Sequence, residues 1–184
     1  MRALAFPRRR RRVLVLGGAR SGKSQHAESL LAGAEVVDYV ACGAAPGDDD
    51  EWAGRIALHR ARRPASWRTV ETLDLPGVLG RPGPPVLVDC LTTWLAGTMD
   101  ECGVWTEEPG ADARLVAAVD GVVAAWSGAA RRVIGVSNEV GSGIVPATPS
   151  GRRFRDELGV LNARIAAASD RVVLVTAGLP QRLR

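Results

Sequence analysis

An α/β fold with a mainly parallel sheet, covered by helices on both faces, is the fold class this sequence predicts. Three observations predict it. Short apolar runs recur along the 184 residues, each bounded by glycine or polar residues. Helix-patterned stretches alternate with these runs, the order that parallel strands and crossover helices require. The first run, Val13-Leu14-Val15-Leu16, leads directly into Gly17-Gly18-Ala19-Arg20-Ser21-Gly22-Lys23-Ser24. That octapeptide fits the phosphate-binding pattern G-x-x-x-x-G-K-[ST].

Val13 to Leu16 reads as a buried parallel strand, apolar on both sides. Ser24 to Ala32 reads as the following helix, closed by Gly33. Val36 to Ala41 is a second apolar strand, ending at Cys42-Gly43. Asp48 to Asp50 open a helix that runs through Arg62 and is stopped by Pro64. Val86 to Asp89 is a third buried strand, after a loop rich in proline and glycine. Gly97 to Gly110 reads as an acidic, irregular loop, and Asp112 to Trp126 as an amphipathic helix. Val133 to Ser137 and Val172 to Thr176 are further buried strands, with a helix from Gly151 to Ala168 between them.

Composition narrows the class. An apolar content of 46% suits a single globular domain of this length. The net charge is +4, but Arg2 and Arg8 to Arg12 concentrate positive charge in the first twelve residues. The remainder is mildly acidic, which argues against a general nucleic-acid surface. Residues 1–12 therefore read as a basic, disordered extension and 13–184 as one domain. Cys42, Cys90 and Cys102 are odd in number and lack C-x-x-C spacing. They read as reduced thiols of a cytoplasmic protein, not a disulfide framework or zinc site. The N-terminus lacks an apolar segment of signal length, and no run is long enough to span a membrane.

Lys23 is the only lysine of the chain; every other cationic side chain apart from histidine is arginine. A compact ammonium fits between phosphate oxygens where a planar guanidinium would crowd the turn. The backbone N–H groups of Gly18 to Lys23 would wrap the phosphates, Lys23 would bridge the outer ones, and Ser24 would ligate Mg²⁺. Asp89 closes an apolar strand, the place of a magnesium-linked carboxylate in such folds. A strand-end or helix-capping acid is the alternative.

His59 lies in Arg55-Ile56-Ala57-Leu58-His59-Arg60-Ala61-Arg62-Arg63-Pro64. On a helix, Arg55, His59, Arg62 and Arg63 share one face. Clustered cations lower an imidazole pKa and keep it neutral. A neutral ring nitrogen could then attack an α-phosphorus, form a phosphoramidate and expel pyrophosphate. A solvated basic face bearing an inert histidine satisfies the same spacing, so the residues alone leave both readings open. His26 reads as a helix-surface residue, and Asp48 to Glu51 as acids stabilising a helix start. Asn138 to Pro146 follow a strand and form either a pocket wall or a tight loop.

Taken together, these segments resemble the bifunctional adenosylcobinamide kinase / adenosylcobinamide-phosphate guanylyltransferase family. The resemblance rests on GGARSGKS at Gly17 to Ser24, YVA at Tyr39 to Ala41, and RIALHRARRPASWRTVE at Arg55 to Glu71. DCLTTWL at Asp89 to Leu95, NEVGSGIVP at Asn138 to Pro146, GRRFRDELGVLN at Gly151 to Asn162 and GLP at Gly178 to Pro180 extend it. Cys42 stands where the family usually has threonine. The resemblance implies a P-loop fold with a RecA-like sheet, and oligomers that are commonly trimers. It implies phosphorylation of adenosylcobinamide by ATP or GTP, then transfer of GMP from GTP through a histidine to give adenosylcobinamide-GDP. The guanylylated histidine falls on His59. The guanine-nucleotide contacts fall on Gly17 to Ser24, Ala41, Cys42, Gly43, Arg60, Ala61, Arg62, Arg63, Glu71 and Asp89, with Ser24 and Asp89 at Mg²⁺.

Overall fold

The computed structural model describes residues 11–43, 54, 57 and 63–184. Among the described residues, seven strands form one sheet in the order β3-β2-β4-β5-β1-β6-β7. The strands are β1 (Arg12–Gly17), β2 (Asp38–Ala41), β3 (Arg68–Glu71), β4 (Val86–Asp89), β5 (Val133–Asn138), β6 (Arg171–Thr176) and β7 (Leu179–Arg182). All neighbours pair in parallel except β6 and β7, which form an antiparallel hairpin at one edge. The described helices are α1 (Lys23–Ser29), α2 (Leu75–Leu79), α3 (Leu91–Glu101), α4 (Ala111–Gly128) and α5 (Pro149–Ala168). Gly54 and Ala57 are also helical, within the helix expected over 48–62.

Alternation along β1 separates two cores. Val13 and Val15 pack with Ala27 of α1, Leu31, Tyr39, Ile134 and Val173 on one face. Leu14 and Leu16 pack on the other face with Leu75 of α2, Trp94 of α3, Leu115 and Trp126 of α4, and Leu158 of α5. Leu14 and Val15 are wholly buried, each burial contributing about 1.5–3 kcal/mol by area. The double coverage explains why these strands read as unbroken apolar runs.

The central parallel order sets the site. β5 lies between β1 and β4, so the chain leaves β1 and β4 at the same sheet edge with one strand separating them. The carboxyl ends of parallel strands at such a point leave a crevice for ligands.

The structure moves several expected boundaries. Residues 97–101 belong to α3, not to an irregular loop. Leu91, Trp94, Leu95, Thr98 and Met99 form a buried helical stripe, and tertiary packing outweighs the poor propensity of Gly97. A Cβ at Gly97 would lie 2.9 Å from Leu73 Cδ1. The glycine therefore admits the close approach that lets Trp94 Nε1 donate to Leu73 O at 2.8 Å. β3 was hidden by its polar, four-residue sequence, and β7 by Pro180 and full exposure. Both are edge strands, where such residues are tolerated.

The domain also begins earlier than residue 13. The backbone N–H groups of Arg11 and Arg12 both donate to Asp170 Oδ2, at 3.0 and 2.9 Å. Arg12 Nη2 meets Asp170 Oδ1 at 2.9 Å. Residues 1–10, the rest of the basic segment, lie outside the described residues.

Candidate nucleotide-binding site

Gly17 ends β1 and Lys23 begins α1, leaving five residues to wrap a phosphate group. The loop closes on itself through Ser21 N–H to Gly18 O at 3.3 Å. A Cβ on Gly17 would strike Ser21 Oγ and sit 2.6 Å from Val175 O. Glycine is thus required by space at the loop entrance. Gly22 takes φ +89 at the cap of α1, a conformation that glycine adopts without penalty. Its lack of a capping side chain leaves the N–H groups that follow for an anion.

The β6–β7 turn supports the loop from behind. Gly178 N–H donates to Ser21 O at 2.9 Å. Gly18, Ala19 and Arg20 stand exposed on the open side, while Ser21 is buried. Lys23 Nζ donates to Gly18 O at 3.1 Å, so the ammonium arches across the cradle.

Asp89 ties this loop to the neighbouring strands. Its Oδ1 accepts from Ser24 Oγ at 3.3 Å, and its Oδ2 accepts from Tyr39 OH at 3.0 Å. Burial, reinforced by the Asp89 charge, pushes the Tyr39 hydroxyl pKa far up. The phenol therefore stays protonated and remains a donor. Arg63 lies with its guanidinium carbon 3.6 Å from the Tyr39 ring centroid and donates to Thr69 Oγ1 at 3.4 Å. Cation–π stacking so brings an arginine from the chain preceding β3 towards Asp89. Ser24 and Asp89 offer a hydroxyl and a carboxylate, the hard oxygen donors suited to Mg²⁺ when phosphates supply further ligands.

β2 and β3 bring the other predicted nucleotide residues to the same sheet edge. Ala41 lies opposite Glu71 in register, and Cys42-Gly43 continue from β2. Cys42 is buried in the core, and burial pushes its thiol pKa upward. Main-chain groups rather than a thiolate are what this position offers a ligand. His59, Arg60, Ala61 and Arg62 lie outside the described residues, as do Asp48 to Glu51.

His26 is half-buried, not on an open helix surface. Its pKa is lowered by burial and by Arg171. The segment after β5 is anchored to the phosphate loop, since Glu139 N–H donates to Gly17 O at 3.1 Å. Asn138 is held on both sides. Its N–H donates to Thr92 Oγ1 at 2.8 Å, and its O accepts from Asn162 Nδ2 at 3.0 Å.

Tyr39, Thr92 and Asn162 lie within the matching sequence segments, but the sequence assigned none of them a role. Asn162 had one recoverable signal. It interrupts the buried stripe of Leu158, Leu161 and Ile165 with a polar side chain.

Comparison with known proteins places these features in a wider set. A family model described as cobinamide kinase / cobinamide phosphate guanyltransferase matches residues 13–183. The bifunctional adenosylcobalamin biosynthesis protein CobU of Salmonella typhimurium is 39% identical, covering 94% of this chain and 99% of its own. The bifunctional adenosylcobalamin biosynthesis protein CobP of Pseudomonas aeruginosa is 42% identical, covering 94% and 97%. Among solved structures, a prototypical ATPase from the type III secretion system of pathogenic bacteria aligns with a TM-score of 0.55 at 11% identity. That alignment covers 94% of this chain but 56% of the ATPase, and the likeness is one of fold.

Proposed function

The chain belongs to the cobinamide kinase / cobinamide phosphate guanyltransferase family, and we propose that it carries out both reactions in cobalamin biosynthesis. In the first, the aminopropanol hydroxyl of adenosylcobinamide attacks the γ-phosphorus of ATP or GTP. The nucleoside diphosphate leaves, and the hydroxyl proton is released. In the second, a nitrogen of His59 attacks the α-phosphorus of GTP and pyrophosphate leaves. The phosphate of adenosylcobinamide phosphate then attacks the same phosphorus, releases the imidazole and yields adenosylcobinamide-GDP.

The observation that carries this reading is the meeting of Ser24 with Asp89 beside a complete phosphate loop, in a chain matching the family over residues 13–183. Phosphoryl transfer asks mainly for positioning and charge neutralisation. The loop N–H groups position the phosphates, and Lys23 leaves Gly18 O to bind their outer oxygens. Mg²⁺, held by Ser24 and Asp89, would supply further charge neutralisation. The reading places Ala41 to Gly43 and Glu71 at the guanine nucleotide, with Glu71 accepting base N–H groups. Arg60, Arg62 and Arg63 neutralise triphosphate charge during attack by His59.

The same reading describes a cytoplasmic enzyme that self-associates as an oligomer. Its described cysteines are free, and no helix among the described residues is long and apolar enough to cross a membrane. Light scattering after size exclusion tests the oligomer, expected as a trimer.

The deciding experiment is incubation with Mg²⁺ and GTP labelled in the α-phosphate, followed by denaturation. The expected product is an acid-labile, alkali-stable label on the wild-type protein that His59→Ala lacks. Adenosylcobinamide phosphorylation without any such label would leave a small-molecule kinase and overturn the transfer half. Nucleotide binding without either turnover would reduce the protein to a nucleotide-binding module.

A further inference from the structure

Tyr39 is 4% exposed and packs in the apolar cluster that includes Ala27 of α1. Neither proposed reaction uses it. Its place in β2 sets its reach. Tyr39 lies opposite Leu87 of β4 in register. Asp89 is two residues further along β4 and points to the same face, because strand side chains alternate. Two residues of strand advance about 6.6 Å, a gap that a phenol spans and a serine or threonine hydroxyl does not. The Tyr39 hydroxyl accordingly donates to Asp89 Oδ2 at 3.0 Å.

The direction of that bond is fixed, since an ionised carboxylate only accepts. The other oxygen, Oδ1, stays on the side of Ser24, 3.3 Å from its hydroxyl. The carboxylate is thus gripped from β2 while its second oxygen faces the first turn after the phosphate loop.

The ring places Tyr39 at the same site. The Arg63 guanidinium carbon lies 3.6 Å from its centroid, and Arg63 Nη1 donates to Thr69 Oγ1 at 3.4 Å. Thr69 is the register partner of Tyr39 on β3. One side chain therefore touches both a carboxylate and an arginine of the nucleotide set.

Packing alone does not account for the hydroxyl. A phenylalanine would fill the same place in the apolar cluster. A buried phenol needs an acceptor, which a main-chain oxygen could supply. Its acceptor here is instead the carboxylate that also bonds Ser24.

We propose that Tyr39 is a positioning residue whose hydroxyl orients Asp89 for the Mg²⁺ that accompanies the nucleotide. It acts through Asp89 and not on a substrate. This rests on the kinase and guanylyltransferase reading above and adds how its ion-binding carboxylate is held. Such partners typically set metal affinity by about 10–100-fold.

The test is a binding measurement without turnover. The ligand is a GTP analogue with a methylene bridge between its α- and β-phosphorus atoms, which cannot release pyrophosphate. Calorimetry gives its affinity in excess Mg²⁺ and in EDTA, and the ratio is the gain due to the ion. Tyr39→Phe keeps the ring and loses only the hydroxyl. Its metal-free affinity should stay within twofold of wild type, which also reports a folded site. Its gain from Mg²⁺ should fall by about tenfold. Asp89→Asn should lose that gain too, and Tyr39→Phe added to it should lower the gain no further. The double variant also leaves no buried charge without its donor.

An unchanged gain in Tyr39→Phe overturns the proposal. Equal losses with and without Mg²⁺ also overturn it and reduce Tyr39 to a core residue. A double variant that loses further gain would show Tyr39 acting other than through Asp89. A wild type that gives the expected binding pattern but phosphorylates no adenosylcobinamide sinks the functional reading and leaves the hold of Tyr39 on Asp89 standing.

Discussion

The hydroxyl of Ser24 donates to Oδ1 of Asp89 across 3.3 Å, joining the first turn of α1 to the end of β4. The two residues are far apart in sequence and their strands are separated by β5. Their meeting therefore depends on the whole central sheet order. The second oxygen of Asp89 is held by Tyr39, so both oxygens of the carboxylate are oriented.

Asp89→Asn tests the ion-binding role. The substitution keeps an oxygen acceptor for Ser24 and removes the negative charge. The Mg²⁺ concentration giving half-maximal kinase rate should rise by about 10–100-fold. Initial rates over a Mg²⁺ titration provide the measurement. An unaltered requirement would place the ion on other residues.

Gly17 and Gly18 are neighbours with opposite steric demands. Ala at Gly17 meets Ser21 Oγ and the backbone oxygen of Val175, whereas Ala at Gly18 meets nothing within 4 Å. Gly17→Ala should lower stability by about 1–3 kcal/mol through overpacking and abolish nucleotide binding by displacing the loop. Gly18→Ala should unfold at the wild-type midpoint. Denaturant titrations and nucleotide calorimetry on the pair compare them directly; equal tolerance would show the loop to be more compliant than its packing implies.

Arg63 rests on Tyr39 and so shares a contact chain with Asp89. Removing its stacking should cost about 0.5–1 kcal/mol of stability. Its proposed phosphate contact is charge-assisted and carries about 1.5–3 kcal/mol, so Arg63→Ala should weaken GTP binding by about tenfold or more. Calorimetry with GTP separates this from the midpoint of thermal unfolding. A change in stability with no change in GTP affinity would confine Arg63 to a structural role.

Sequence pattern reached the central strands because double burial leaves an unbroken apolar signature in Val13 to Leu16 and Val133 to Val136. It reached Lys23, Ser24 and Asp89 because local chemistry at strand ends is written in consecutive residues. β3 and β7 escaped it, since exposed edge strands impose no hydrophobic alternation. α3 escaped because Gly97 signals a loop until Leu73 is seen against it. The links from Asn162 to Asn138 and from Gly178 to Ser21 are tertiary, and nothing in local spacing specifies either partner. His59 shows the reverse: its motif stands out in sequence, while its position lies outside the described residues.

Asp170 gives a pH-dependent prediction at the other end of the sheet. Hydrogen bonding to the Arg12 side chain is the main cause holding its carboxyl below the usual carboxylate range, against an opposing burial effect. The native state thus binds a proton at Asp170 less readily than the unfolded chain. Its contribution is complete above the unfolded pKa and is lost as pH falls through the lower folded one. Asp170→Asn removes the charge that fastens Arg12 and one carboxylate acceptor for the Arg11 and Arg12 N–H groups. The variant should melt below wild type at neutral pH, and the gap should stay constant down to about pH 5. Below about pH 4 the wild-type advantage should shrink as its own carboxyl protonates. Melting curves of both proteins from pH 7 to pH 3 measure the gap. A gap that widens on acidification would contradict the sign of this linkage and remove Asp170 as the electrostatic clasp on the first strand.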